Sequence, residues 1–162
     1  MKYDDYEVRE LTIEHETEAY NVLREEFPDH DIPWILKEYE WIVIAITKES
    51  NQVVGVATAN KYIPRKALLC DIAVDKKHRS YGVGIQLLKA LGEILLDKGY
   101  THLLGFTPKN CKEALSTYRR VATIQEEMIV TTSTLDISVP HITQLEDRLR
   151  YLEINRKKGK ES

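Results

Sequence analysis

The stretch Val74-Asp75-Lys76-Lys77-His78-Arg79-Ser80-Tyr81-Gly82-Val83-Gly84-Ile85-Gln86-Leu87-Leu88 joins the end of an apolar strand to a long helix through a basic turn and a glycine pair. The first turn of a helix carries N–H groups without intrahelical partners, and the helix dipole adds positive potential there. Glycines let a phosphate approach without meeting a Cβ, so the segment predicts an anion site. Arg79 either adds a charge-assisted contact to such an anion or braces the loop. Neither common nucleotide signature fits: G-x-x-x-x-G-K-[ST] is absent, and Gly82-Val83-Gly84 lacks a third glycine three residues on.

Downstream, Leu87, Leu88, Leu91, Ile94 and Leu95 recur at helical spacing, and Gly99 stands where a left-handed C-cap would go, so residues 83–98 read as helix. Upstream, residues 41–47, 53–58 and 67–74 read as strands, the first two joined at the turn residues Ser50-Asn51-Gln52. Residues 6–13 read as a first strand, and 17–26 as a helix with Ala19, Tyr20 and Leu23 on one face. Pro28 and Pro33 bracket an acidic loop before a short helical stretch at 34–39. Beyond the long helix come a strand at 101–107, a helix that begins at Asn110, and a strand at 123–132. In that helix Glu113 takes the capping-box position, and Ala114, Leu115, Tyr118 and Val121 form the apolar stripe. This order predicts one mixed α/β (α+β) domain over residues 1–132. Residues 133–162 are expected to form a C-terminal extension: a strand at 135–139, an amphipathic helix at 141–155 and a basic tail. Ile142, Leu145, Leu149 and Leu152 keep a 3-4-3 spacing, so this helix either packs on its own domain or forms a homodimer contact.

With 162 residues, 43% of them hydrophobic and 30% charged, the chain suits a single globular domain with a genuine core. No apolar run approaches the roughly 18–20 residues of a membrane-spanning helix, and Met1-Lys2-Tyr3-Asp4-Asp5 lacks the features of a signal peptide. No membrane association is expected, and a cytoplasmic location is. Cys70 and Cys111 are too few for a disulfide framework and match no zinc spacing, so no metal is expected. Charge is uneven: residues 1–50 hold 5 Lys/Arg against 14 Asp/Glu, and residues 51–162 hold 18 against 12. The acidic part is either solvated surface or a wall facing a cationic partner.

Arg79-Ser80-Tyr81-Gly82-Val83-Gly84 resembles the R-x-x-G-x-G pyrophosphate loop of the GCN5-related N-acetyltransferase (GNAT) family. The surroundings extend the resemblance: Asp71-Ile72-Ala73-Val74 ends the preceding strand, and Asn110, Ala114 and Tyr118 follow in order in the later helix. It covers residues 53 to about 121 well and residues 1–52 in element order only. The resemblance implies a GNAT-type mixed, mostly antiparallel sheet flanked by helices, with acetyl-CoA as co-substrate between two splayed strands, 68–74 and 103–107. By the same resemblance Ile72, Ala73 and Val74 line the pantetheine and the acetyl carbonyl, and the amides of Arg79, Ser80, Tyr81, Gly82, Val83 and Gly84 take the pyrophosphate. Asn110 contacts the cofactor arm. Tyr118 aligns with the tyrosine that donates a proton to the departing thiolate, a task open to a phenol of ordinary pKa near ~10; the other reading is a core tyrosine. Asp71 is the candidate base, directly or through water, or else a structural carboxylate. Glu25, Glu26 and Asp31 belong to the acidic region where acceptors of this family approach, and either hold a cationic substrate or do nothing specific. The sequence departs from the family after Tyr118, where Arg119-Arg120-Val121 replaces the usual Gly-Phe pair, and in residues 133–162, which have no counterpart.

The expected activity is transfer of acetyl from acetyl-CoA to a primary amine of a cationic acceptor, a small molecule or a protein, by direct attack in a ternary complex. A covalent enzyme intermediate is not expected, because Cys70 or Cys111 would need an activating base that the sequence does not reveal. Two other classes stay open: a CoA-binding regulatory or assembly module without catalysis, and an acyltransferase directed at a nucleic-acid-associated target. The acidic first 50 residues argue against a broad nucleic-acid footprint.

Overall fold

The computed structural model describes residues 2–30, 32, 36–108, 118, 123–126 and 132–138, with backbone alone at 3, 37, 106–108, 123–126 and 132–138. The chain enters as strand β1 (Tyr6–Glu10) and passes a 3-10 turn at Ile13–His15 into helix α1 (Glu16–Glu26). Pro28 disfavours helical geometry at the residue before it, and Phe27 indeed leaves the helix at φ -123°, ψ 63°. Three antiparallel strands follow, β2 (Trp41–Thr47), β3 (Val53–Ile63) and β4 (Lys66–Val74), then helix α2 (Val83–Asp97) and strands β5 (His102–Pro108), β6 (Thr123–Glu126) and β7 (Thr132–Ser138). They form one seven-stranded sheet in the order β1-β2-β3-β4-β5-β7-β6. Every neighbouring pair is antiparallel except β4 and β5, which run parallel. The fold is the expected mixed, mostly antiparallel sheet flanked by helices.

Two apolar cores sit on the two faces of this sheet. On one face Ala19 and Leu23 of α1 pack with Ile32, Leu36, Ile44, Ile46, Val56 and Ala73. On the other, Val83, Leu87, Leu88, Leu91 and Leu95 of α2 pack with Val43, Ala57, Ala67, Leu69 and Leu103. Gly55 on β3 sets how closely α2 approaches. A Cβ there would stand 3.0 Å from Leu87 Cδ1 and 3.1 Å from Val83 Cγ1, so the missing side chain lets the first two turns of α2 sit down on the sheet beside the end of β4. That contact fixes where the amino end of α2 points.

Four boundaries differ from the sequence reading. The strand expected at 6–13 ends at Glu10; Leu11 N–H still bonds to Ile42 O at 3.0 Å, and the chain then curls into the 3-10 turn. Where a helical stretch was expected at 34–39, the described part is a single 3-10 turn at Leu36–Glu38, with Leu36 wholly buried against the α1 side of the sheet; burial of one residue, not helical periodicity, organises it. Strand β3 runs to Ile63 instead of 58, because beyond the end of β2 it keeps pairing with β4 as far as Ile63↔Lys66. The expected strand 123–132 divides into β6 and the start of β7, which pair antiparallel, and residues 127–131 lie outside the described part. Strand β7 takes in most of the strand expected at 135–139 and sits between β5 and β6, so residue 132 is the first residue of a strand of this sheet. The expected helix at 141–155 and the basic tail lie outside the described residues. Among the described residues no helix is long and apolar enough to cross a membrane.

Leu87, with no exposed surface and lying against Gly55, couples α2 to the sheet. Leu87→Ala is expected to lower the unfolding free energy by about 2–5 kcal/mol through lost burial and the cavity left behind, read by urea unfolding.

Candidate active site

Strands β4 and β5 pair only at their beginnings: the register runs Lys66↔His102, Ala67↔Leu103, Leu68↔Leu104 and goes no further. Beyond that point each holds its other neighbour, β4 pairing with β3 as far as Val74↔Gly55 and β5 with β7 as far as Pro108↔Thr132. The two strands therefore part at one end of the sheet and leave a gap with a backbone edge on each side. A bulge contributes. Asp71 pairs with Thr58 and Leu69 with Ala59, so Cys70 is left over and the alternation of β4 shifts there. Before the bulge Ala67 and Leu69 face α2; after it Ile72 and Val74 do, while Ala73 packs on the α1 side.

The same shift decides where backbone groups point. Asp75 N–H bonds to Val54 O at 2.8 Å and so faces β3. Alternation then aims the N–H and C=O groups of Ile72 and Val74 away from β3 and into the gap. Polar backbone on such an edge calls for water or a ligand. The Val74 carbonyl is already engaged: it accepts from Arg79 Nε at 3.0 Å.

The turn leading to α2 is built by short-range bonds. Asp75 Oδ1 accepts Lys77 N–H at 2.9 Å and Asp75 O accepts His78 N–H at 2.9 Å, closing a 3-10 turn at Lys76–His78. His78 Nδ1 lies 3.0 Å from the Tyr6 hydroxyl, with the two rings edge to face. The Arg79 guanidinium pairs with the Glu26 carboxylate at the end of α1 as well as with Val74. Arg79 thus braces the loop. Ser80 and Gly82 follow in left-handed conformations, φ 67° and 82°, which Gly82 adopts without strain. The first intrahelical bond of α2 is Gln86 N–H to Gly82 O at 3.0 Å, so the N–H groups of Val83, Gly84 and Ile85 have no intrahelical acceptor. The first turn of α2 carries no acidic side chain, leaving the positive end of its dipole uncancelled. A Cβ on Gly84 would meet only Val74 Cγ2, at 4.0 Å, an ordinary contact, so the packing of the protein itself does not demand glycine there.

On the α1 side of the gap stands a hydrogen-bonded group that sequence reading missed apart from Asp71. Asp71 Oδ2 accepts from the Tyr39 hydroxyl at 2.7 Å and from Thr58 Oγ1 at 3.4 Å, and Asp71 N–H donates to Thr58 Oγ1 at 3.1 Å. Burial, then the hydrogen bond to Asp71 and its charge, push the Tyr39 phenol above its ordinary value and keep it protonated. No local motif signals this group, because Tyr39 and Asp71 are 32 residues apart. Glu25 is exposed and lines a shallow cleft with Val22, Glu26, Val74, Asp75 and Lys76, whereas the Glu26 carboxylate is taken by Arg79. Tyr118 is helical, 7% exposed and part of the core on the α2 side. Tyr118 and Asp71 therefore belong to opposite faces of the sheet. Asn110, Asp31, Cys111, Arg119 and Arg120 lie outside the described residues.

Among the described residues no three His, Cys, Asp or Glu side chains gather into a metal site. A separate groove of about 430 Å³, lined by Val8, Arg9, Glu10, Val43, Ala90, Glu93, Ile94, Asp97 and Lys98, lies between β1, β2 and the second half of α2, away from the residues gathered at the gap.

The model of the acetyltransferase (GNAT) family matches residues 6–122. No curated protein sequence matches the chain. Among solved structures, a GNAT-family acetyltransferase from Staphylococcus aureus Mu50 superposes with a TM-score of 0.70 at 13% identity, covering 83% of this chain and 99% of that one. A GNAT-family acetyltransferase from Elizabethkingia anophelis with acetyl-CoA bound gives 0.64 at 18% identity, covering 83% and 99%. The PaiA N-acetyltransferase of Thermoplasma acidophilum in complex with coenzyme A gives 0.65 at 14% identity, covering 82% and 98%. At these identities the likeness is one of fold.

Cys70 offers a direct check on the electrostatics beside the gap. Burial, then the Asp71 carboxylate, push its thiol up to about 11, so at neutral pH it is a thiol and a poor nucleophile. In a Cys111→Ser background, alkylation of Cys70 by iodoacetamide is expected to keep accelerating with pH to a midpoint near 11, where an unperturbed thiol would level off from about 8.5.

Proposed function

Because the chain belongs to the GNAT acetyltransferase family, we propose that it transfers the acetyl group of acetyl-CoA to a primary amine of a cationic acceptor, by direct attack in a ternary complex. The observation that carries this reading is the backbone edge of β4 at Ile72 and Val74, turned into the gap and continuous with the open amino end of α2. An extended, amide-bearing pantetheine arm suits such an edge, since it bonds to a strand as another strand would. Pyrophosphate suits the N–H groups of Val83, Gly84 and Ile85 and the uncancelled dipole behind them. Gly82 and Gly84 leave the approach clear, with Ser80 and Tyr81 completing the loop. Asn110 is assigned to the cofactor arm on the family resemblance.

The thioester supplies an activated acyl carbon. Toward it the Val74 N–H is placed to stabilise the oxyanion formed when the amine nitrogen attacks, its carbonyl being held by Arg79. Tyr118 gives its proton to the departing thiolate as the carbon–sulfur bond breaks. The proton lost by the amine passes to Asp71, directly or through water. Tyr39 and Thr58 hold the carboxylate in place on the α1 face. A cationic acceptor is drawn by Glu25, with Asp31 assigned to the same task on the family resemblance. The gap is the route between Tyr118 on one face and Asp71 on the other.

The test is thermal unfolding with acetyl-CoA, dephospho-CoA and NAD, followed by thiol release with a panel of polyamines and lysine peptides. Acetyl-CoA at about 100 times its Kd should stabilise the fold by about 2.7 kcal/mol. Tyr118→Phe is expected to cut turnover by about 100-fold or more while acetyl-CoA affinity stays within about twofold; equal turnover would remove Tyr118 from the mechanism. Acetyl-CoA binding without thiol release from any amine would favour a non-catalytic CoA-binding module.

Glycine at 84 separates ligand from fold. Gly84→Ala should leave stability unchanged or raise it by up to about 1 kcal/mol, alanine being the better helix former, yet weaken acetyl-CoA binding by about tenfold, read by isothermal titration.

A further inference from the structure

The carboxylates near the end of α1 differ in what they touch. Glu25 is exposed along the shallow cleft, while Glu26 reaches the Arg79 guanidinium, and Arg79 also donates through Nε to the Val74 carbonyl at 3.0 Å. One side chain thus joins the end of α1, the last residue of β4 and the loop that opens α2. The two left-handed residues of that loop, Ser80 and Gly82, lie one and three positions after Arg79, so the brace fixes the point from which they turn the chain into α2. Resting on the acetyl-CoA reading above, we propose that Glu26 is a positioning residue for the pyrophosphate loop, acting through Arg79, and that this one carboxylate serves the acetyl donor instead of the acceptor.

Three features favour this role over a plain surface ion pair. Arg79 reaches partners on separate elements, α1 and β4, so its fork-shaped head is fixed in orientation. With its charge neutralised by Glu26, Arg79 contributes to the anion site through backbone placement, and the binding groups are the loop and helix amides. A second contact, Tyr6 hydroxyl to His78 Nδ1 at 3.0 Å, holds the residue before Arg79 to β1, so freeing Glu26 loosens one side of a loop still fastened at the other. The expected consequence is a misplaced loop in a protein that remains folded.

The measurement is a double-mutant cycle on acetyl-CoA affinity in the full chain, by isothermal titration, with urea unfolding on the same samples. Glu26→Gln is expected to weaken acetyl-CoA binding about five- to thirtyfold, the scale of a lost charge-assisted hydrogen bond, and Arg79→Gln similarly. If Glu26 acts through Arg79, the double variant binds no more weakly than Arg79→Gln alone, and Glu26→Asp recovers part of the loss. A Kd for Glu26→Gln within twofold of the unmodified protein overturns the proposal, as do losses that multiply in the double variant. Should Glu26→Gln not fold, Glu26→Ala is read in its place against the same criteria. Absence of acetyl-CoA binding by the unmodified protein would instead overturn the acetyltransferase reading on which this one rests.

Discussion

The parting of β4 from β5 after Leu68 and Leu104 is the constraint on which the site depends. Sheets close their backbone edges wherever they can, so two adjacent central strands that separate need other partners along their outer sides. Here β3 holds β4 to Val74 and β7 holds β5 to Pro108, and each strand stays ordered while the edges between them open. The extra residue at Cys70 bends and twists β4 and turns Ile72 and Val74 toward the gap. Without the bulge the alternation would present Asp71 and Ala73 on the α2 face, and the carboxylate would be buried among leucines.

Helix α2 completes the site because of how it is packed. Gly55 admits Val83 and Leu87 closely onto the sheet, and six buried side chains of α2 anchor its length. The first turn, held by that packing, projects beside the end of β4 with N–H groups that lack intrahelical acceptors and with no acidic side chain in the turn. The loop feeding it is fastened through His78 to β1 and through Arg79 to α1 and β4. The segment between α1 and β2 is likewise tied to β4 by the Tyr39–Asp71 bond.

The sequence was most legible where local rules govern. The helix at 83–98 and strand β4 followed from apolar periodicity and a glycine C-cap, and were read within one or two residues. The turn into α2 was legible as glycines before a helix, and Gly82 does take a left-handed conformation there. Long-range facts were not legible. Nothing near Glu26 announces Arg79, 53 residues away, and nothing near Tyr39 announces Asp71. The overhang of β3 and the place of β7 between β5 and β6 are decisions of strand pairing, which composition does not encode. Of the stretch expected to be helical at 34–39, the described part is the turn at Leu36–Glu38, seated by the burial of Leu36. Asp71 and Tyr118 stood out as candidates in the sequence, but that they belong to opposite faces depends on the Cys70 bulge.

The central claim is that the β4–β5 gap and the first turn of α2 form one continuous ligand site. Amide-resolved NMR of the full chain during titration with coenzyme A tests it most directly. The largest saturable shifts are expected at Ile72, Val74, Gly82, Val83 and Gly84, with Tyr39 and Asp71 following when acetyl-CoA is used. Shifts confined to the groove at Val8, Glu10, Ala90 and Ile94, or absent from the amides of Val83 and Gly84, would contradict it.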